Sequence, residues 1–306
     1  MAKVKLDGKK ILVTGPTGQV ALPVTRALAK SNDVWGVARF ADAKAREELD
    51  VAGVTCVVQD LATSDLSSLP EDFDYILNFA VLKGGDDDWD RDMSGNAESI
   101  GLLVAHCKPR AFLHCSSTAV YQHQGPNHPL KETDPLGDNH RVMFPAYSIT
   151  KIAGEAVART AARVHGVPTT IARLNVPYGN NGGWPYYHLL YMQGGAPIPL
   201  HPEKPNLFNP IHEDDIIRQL PALLGVAAVP ATIVNWGGEP ASIEEWCAYL
   251  GEITGMEPTF TETPDTIGSV TVDRTRMHEL IGAAKVPWRD GVRRMVEARN
   301  PELLKG

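Results

Sequence analysis

Polar and apolar positions begin to alternate in blocks at Lys9. Ile11-Leu12-Val13 is a short apolar run, Gly15 to Gly18 a turn, and Val20, Val24, Ala27 and Leu28 fall on one helical face. Strand-like runs recur at Val34-Trp35-Gly36-Val37-Ala38, Val54-Thr55-Cys56-Val57-Val58, Tyr75-Ile76-Leu77-Asn78-Phe79-Ala80, Ala111-Phe112-Leu113-His114-Cys115 and Thr169-Thr170-Ile171-Ala172. Helical patterns cover Asp42 to Leu49, Asp92 to Cys107 and Tyr147 to Val164. Near-continuous apolar strands alternating with helices predict an α/β fold, a doubly wound parallel sheet covered on both faces. Past Leu174 the rhythm changes. Gly and Pro crowd Pro177 to Pro210, before helices near Asp214 to Gly225, Ser242 to Gly255 and Val286 to Ala298. Two parts are expected: residues 1–174 with the sheet, and 175–306 mainly a smaller α/β lobe that closes a cleft at the carboxyl ends of the strands.

Composition narrows the class. A chain of 306 residues, 43% hydrophobic and 22% charged, is an ordinary globular protein. Its net charge of −8 and lack of any Lys/Arg block argue against a nucleic-acid partner. No apolar run approaches the roughly 20 residues of a bilayer span, and Met1 to Gly8 lacks a signal-peptide core, so a cytoplasmic protein without membrane contact is expected. Cys56, Cys107, Cys115 and Cys247 are far apart with no Cys-x-x-Cys spacing; buried free thiols are expected, and no metal.

Candidate chemistry sits at two places. Thr14-Gly15-Pro16-Thr17-Gly18-Gln19-Val20-Ala21 leaves the first strand and opens the first helix, where backbone N–H groups can hold a dinucleotide pyrophosphate. The second strand ends Val37-Ala38-Arg39, without the carboxylate that would bind a ribose 2′-OH. Arg39, helped by Lys44 or Arg46, instead suits a 2′-phosphate, so the reading is NADP with NAD as the alternative; the bland reading is a solvated arginine. Asp60 is either an acceptor for the adenine amino group or a turn or helix-capping aspartate. Tyr147 and Lys151, four apart on one helix, share a face, and a neighbouring ammonium together with an oxidised nicotinamide would favour phenolate. Tyr147 can then exchange a proton with a substrate oxygen that a hydroxyl of Ser116-Ser117-Thr118 holds.

Taken together with Asp60-Leu61, Asn78-Phe79-Ala80, Ser117 through Tyr121, Arg173 through Gly179 and Pro210 through Ile216, the chain resembles the extended short-chain dehydrogenase/reductases, the group that contains nucleotide-sugar epimerases. The resemblance implies a seven-stranded Rossmann domain over 1–174 and a substrate lobe over 175–306. It places Ser117, Tyr147 and Lys151 in a catalytic triad and Asn96 at the family's helical asparagine. It adds Thr17, Gln19, Val20, Leu61, Ala80 and Pro177 to Gly15 and Gly18 around the cofactor. Where sugar dehydratases carry an Asp-Glu pair, Thr118 and Ala119 stand, so dehydration is not expected. The segment Glu203 to Asn209 lacks the loop arginine of nucleotide-sugar enzymes, and the family's sugar-contacting asparagine falls on Val176, with Asn175 one position early.

The predicted substrate loop holds Trp184, Tyr186, Tyr187, Leu190, Tyr191 and Met192. Tyr187, Leu190 and Tyr191 share a helical face and read as core or dimer surface, while Trp184 and Tyr187 are candidates for an apolar pocket. His188 and His212 read as packing or surface groups, and His114 and Asp215 as structural. The expected activity is NADP-preferring interconversion of a ketone or aldehyde and an alcohol on an apolar small molecule, with a homodimer possible. Alternatives are a nucleotide-sugar 4-epimerase with tightly bound NAD and a noncatalytic dinucleotide-binding redox sensor. A broken Tyr/Lys pair would mark the sensor; here the pair is intact.

Overall fold

Ile11, Leu12 and Val13 are fully buried because β1 (Lys10–Thr14) runs through the middle of the sheet, as its unbroken apolar pattern requires. The structure is a computed structural model that describes residues 4–63, 65–82 and 88–305; Met1, Ala2 and Lys3, part of the opening stretch read for a signal core, lie outside them. In chain order follow α1 (Ala21–Ala29), β2 (Asp33–Ala38), α2 (Ala43–Val51), β3 (Thr55–Val58), β4 (Tyr75–Asn78), α3 (Trp89–Met93), α4 (Ser99–Cys107), β5 (Ala111–Ser117), α5 (Tyr147–His165) and β6 (Thr169–Leu174). The predicted helix over Asp92 to Cys107 is interrupted: a π-helical turn over Ser94–Glu98 joins α3 to α4.

Beyond Leu174 come β7 (Pro177–Gly179), β8 (Gly182–Gly183), α6 (Trp184–Gln193), β9 (Ile198–Leu200), β10 (Leu207–Phe208), β11 (Ile211–His212), α7 (Glu213–Gly225) and β12 (Thr232–Trp236). The chain ends with β13 (Ala241–Ser242), α8 (Ile243–Thr254), β14 (Phe260–Glu262), α9 (Thr275–Leu280) and α10 (Trp288–Arg299). The main sheet has seven strands in the order β12-β6-β5-β4-β1-β2-β3, and every pairing in it is parallel. Order reverses between β1 and β4, which is where such sheets open a ligand crevice at their carboxyl ends. This is the Rossmann arrangement.

The boundary at 174 needs correction, because β12 pairs with β6 and α7 packs its Ile216, Leu220 and Leu223 into the same core as α1. The chain thus leaves for the lobe and comes back to complete the sheet. A parallel neighbour for β6 requires a crossover connection, and α7 supplies it. Helices α4 and α5 cover the opposite face through Ile100, Leu103, Val104, Ala158 and Ala161. A separate core of Phe208, Trp246, Leu250, Ile253, Val292 and Met295 holds the lobe. Among the described residues no helix is long and apolar enough to cross a membrane.

Candidate active site

Two adjoining hollows lie over the carboxyl ends of β1, β4, β5 and β6. The smaller, about 290 Å³, is walled by Gly15, Thr17, Gly18, Arg39, Asp60, Leu61 and Ala80, all expected there, together with Phe40, Asp42, Gln59 and Leu82. The larger, about 610 Å³, contains Gly18, Gln19, Val20, Ser117, Tyr147, Lys151, Asn175, Pro177, Trp184 and Tyr187. Gly18, Phe79 and Val81 line both, so the two hollows are continuous.

The glycine turn is shaped for close approach. Gly15 has φ +62°, and a Cβ there would sit 2.9 Å from the Ala80 Cα, so only glycine fits. Helix α1 starts at Ala21 with no side-chain cap, and of its first-turn amides that of Leu22 is taken by the Gly18 carbonyl (2.9 Å). Thr14 Oγ1 accepts from the Ala80 amide (2.9 Å) and donates to Asn78 Oδ1 (2.6 Å), locking β1 to β4 beneath the turn. Gln19 reaches the lobe by donating to the Pro177 carbonyl (3.2 Å), and Asn181 donates back to Gln19 O (2.8 Å). These features fit a dinucleotide lying from the Arg39 and Asp60 end, across Gly15 to Gly18, toward Tyr147.

At the adenosine end, Asp60 is a turn aspartate: it accepts from the Ala62 amide (3.0 Å) and pairs with Arg91 (2.6 Å). Arg39 is exposed and has no ion-pair partner among the described residues. The Arg46 guanidinium lies 5.1 Å over the ring of the next residue, Phe40, and pairs with Asp50.

Tyr147 begins α5 and Ser117 ends β5, which brings the Ser117 hydroxyl close enough to the Tyr147 phenol to oppose a rise in its pKa, while Ser117 Oγ accepts from the Ala119 amide (3.1 Å). Lys151 Nζ is buried and donates to the Cys115 carbonyl (2.9 Å), with the Tyr147 ring centroid 5.9 Å away. Burial of the phenol end pushes the Tyr147 pKa up to about 12, the Ser117 hydroxyl only partly opposing it, so the protein alone holds a phenol rather than a phenolate. The expected phenolate calls for an oxidised nicotinamide as well as the Lys151 ammonium, which here donates to the strand carbonyl.

Asn96, in the π-helical turn, is buried; it bonds both backbone groups of Leu82 and donates to Thr150 Oγ1 (3.1 Å), tying the loop after β4 to α5. Below the site, Glu155 takes two bonds from Arg173 (2.9 and 2.7 Å) and one from Ser116 Oγ (2.6 Å), all buried, which fixes α5 against β5 and β6.

Residues 11–189 match the model of the NAD dependent epimerase/dehydratase family. The chain belongs to that family. Among its relatives, the "Uncharacterized UDP-glucose epimerase YtcB" of Bacillus subtilis (strain 168) is 24% identical over 273 residues, 82% of this chain and 84% of that one. UDP-glucuronate 4-epimerase 6 of Arabidopsis thaliana is 31% identical over 193 residues, 56% of this chain and 40% of that protein. Among solved structures, UDP-glucuronic acid 4-epimerase from Bacillus cereus, in complex with UDP-glucuronic acid and NAD, superposes with TM-score 0.81 at 22% identity, covering 94% and 98% of the two chains. DesIV, a dTDP-glucose 4,6-dehydratase from Streptomyces venezuelae with NAD bound, gives TM-score 0.78 at 21% identity, covering 95% and 97%. The chain is therefore a nicotinamide-dinucleotide enzyme of the epimerase/dehydratase family, built on the family's fold.

The larger hollow carries little charge. Among the described residues lining it, Lys151 is the sole Lys or Arg, and no Asp or Glu is present. Its outer wall is Met143, Phe144, Trp184, Tyr187, Phe208 and Ile267. The amide of Asn175 is fully engaged with protein: it donates to Val270 O (2.9 Å) and Thr118 Oγ1 (3.3 Å) and accepts from Val176 N and Asn209 N (both 2.9 Å). Tyr187, Leu190 and Tyr191 are not core; they are exposed on α6, and the two tyrosines edge the hollow. His212 caps α7 by accepting from Asp214 N, and Asp215 receives the amides of Lys285 and Val286, both structural duties away from the hollow. His140, Met143, Phe144, Thr266 and Val270 join the wall from loops with no periodicity, and no sequence signal pointed to them.

Proposed function

We propose that this enzyme oxidises a secondary alcohol of a nucleotide-linked sugar and then returns hydride to the opposite face of the transient ketone, a 4-epimerase reaction with NAD. The carrying observation is the convergence of Ser117, Tyr147 and Lys151 on the hollow that also contains Gly18 of the glycine turn. Support for the epimerase outcome comes from the names of the relatives, YtcB and the UDP-glucuronate 4-epimerases. Bound nicotinamide supplies the hydride acceptor and then the donor. Tyr147 takes the hydroxyl proton as the substrate C–H bond breaks and gives it back as that bond re-forms. Ser117 donates to the same oxygen and holds it in register. Because burial keeps Tyr147 protonated, the oxidative half-reaction requires positive charge near the phenol, and Lys151, one turn along α5, is the protein's contribution.

A second reading, NADP-linked interconversion of an apolar ketone or aldehyde and its alcohol, is favoured by the absence of a second cation to hold a diphosphate in the described wall. The purified protein is to be offered UDP-glucuronate and UDP-glucose with product analysis, and a panel of ketones and alcohols followed by nicotinamide absorbance. Epimer formation without net change in nicotinamide supports the first reading; net turnover of the panel, with the UDP-sugars inert, replaces it with the second. In either case Tyr147→Phe should keep cofactor affinity and lose at least about 10²-fold in turnover. Undiminished turnover would remove Tyr147 from the chemistry.

A further inference from the structure

His188 stands on the lobe side of the larger hollow and is 3% exposed. Behind it, Trp246 Nε1 approaches His188 Nδ1 at 2.8 Å, and the two rings are 16° from coplanar with centroids 5.7 Å apart, so they lie side by side. An indole N–H only donates. Nδ1 must therefore accept, and the one proton of the neutral ring must be on Nε2. Nε2 points away from Trp246 and has no hydrogen-bond partner among the described residues. Since His188 forms part of the wall and Trp246 does not, the space Nε2 reaches is the hollow. Around the imidazole are Trp184, with ring centroids at 5.7 Å, and Trp246, and Phe208 packs on both indoles. None of these rings carries charge, and burial pushes the His188 pKa down to about 3.

We infer that His188 is a specificity-determining residue, a hydrogen-bond donor whose tautomer is fixed by Trp246 and which takes an uncharged acceptor oxygen, carbonyl or hydroxyl, on a flat or apolar group of the substrate remote from the reacting carbon. The inference rests on the reading that this hollow is the substrate cavity. A neutral donor framed by indole and phenyl rings selects for shape and for one acceptor, since an analogue lacking that oxygen leaves the N–H unpaired.

Two measurements test it. Nitrogen NMR of protein labelled at histidine, with NAD present, should show a His188 ring protonated at Nε2 and bare at Nδ1, unchanged from pH 5 to pH 8; His188→Phe identifies the signal. Titration in that range, or a proton on Nδ1, overturns the inference. Trp246→Phe, which removes the donor behind the ring, should give a mixture of tautomers; a pure Nε2–H form there would show that Trp246 does not fix it. In kinetics, His188→Phe should raise KM about fivefold or more with kcat within about twofold, for UDP-glucuronate or for whichever panel ketone turns over fastest. An unchanged KM overturns the inference. If the unsubstituted protein turns over nothing offered, the proposed function fails, and the NMR result alone decides the state of His188.

Discussion

Arg39 stands at the end of β2, where its side chain borders the adenosine end of the smaller hollow. Asp42, which borders the same hollow, is the N-cap of α2 and accepts from Ala45 N at 3.0 Å, so its carboxylate already has a duty. We propose that the exposed Arg39 guanidinium is the residue that tells the two cofactors apart. If the enzyme uses NADP, Arg39→Ala should weaken NADPH about tenfold or more and leave NADH nearly unchanged, since only NADPH offers a phosphate for charge-assisted hydrogen bonds. Titrations of protein fluorescence with both cofactors measure it; equal losses would show that Arg39 reads no phosphate. At the same scale the environment of Tyr147 was not legible. The sequence shows that a lysine lies one turn away, but whether a phenol is buried, and which carbonyl the lysine prefers, depends on β5 packing against α5.

Elements were legible where a local rule decides them. β1, the glycine turn and α1 are adjacent in sequence, so apolar run, turn and helical stripe could be read without knowing the rest of the fold. α5 was equally plain, and with it the common face of Tyr147 and Lys151. The crossing of α4 and α5 was not: a Cβ on Gly154 would come within 2.8 Å of the Asn96 carbonyl, so the close contact depends on a glycine that reads as an ordinary weak spot in a helix. The π-helical turn at Ser94–Glu98 was also invisible: within it Asn96 bonds Leu82 and Thr150, contacts that no pattern along the chain records. Likewise α6 showed its aromatic residues but not that Tyr187 and Tyr191 stay outside while His188 faces in; its apolar residues surround the helix, leaving no stripe to orient it.

For the molecule as a whole, three buried histidines govern acid stability. His114, His188 and His212 all have pKa values pushed below the ordinary 6.5 by burial, the last two to about 3 and about 4. Below pH 6.5 the unfolded chain therefore binds protons that the folded one refuses, so stability is complete above that pH and falls as pH drops toward the folded values. Each histidine adds at most about 1.4 kcal/mol per pH unit, so urea unfolding should show a loss of up to about 4 kcal/mol between pH 6 and pH 5. Glu213, raised by burial, works in the opposite sense. A flat profile in this range would contradict the buried, neutral state of these rings. The position of β12 bears on how the protein is made. Until Thr232–Trp236 has left the ribosome, β6 is an unprotected sheet edge carrying Thr170, Ile171, Ala172 and Leu174, and the apolar side of α7 has not arrived to cover its face. A chain stopped after Leu174, at the apparent end of the nucleotide-binding half, should accordingly accumulate as aggregate when expressed, whereas one extended through Trp236 should give more soluble material.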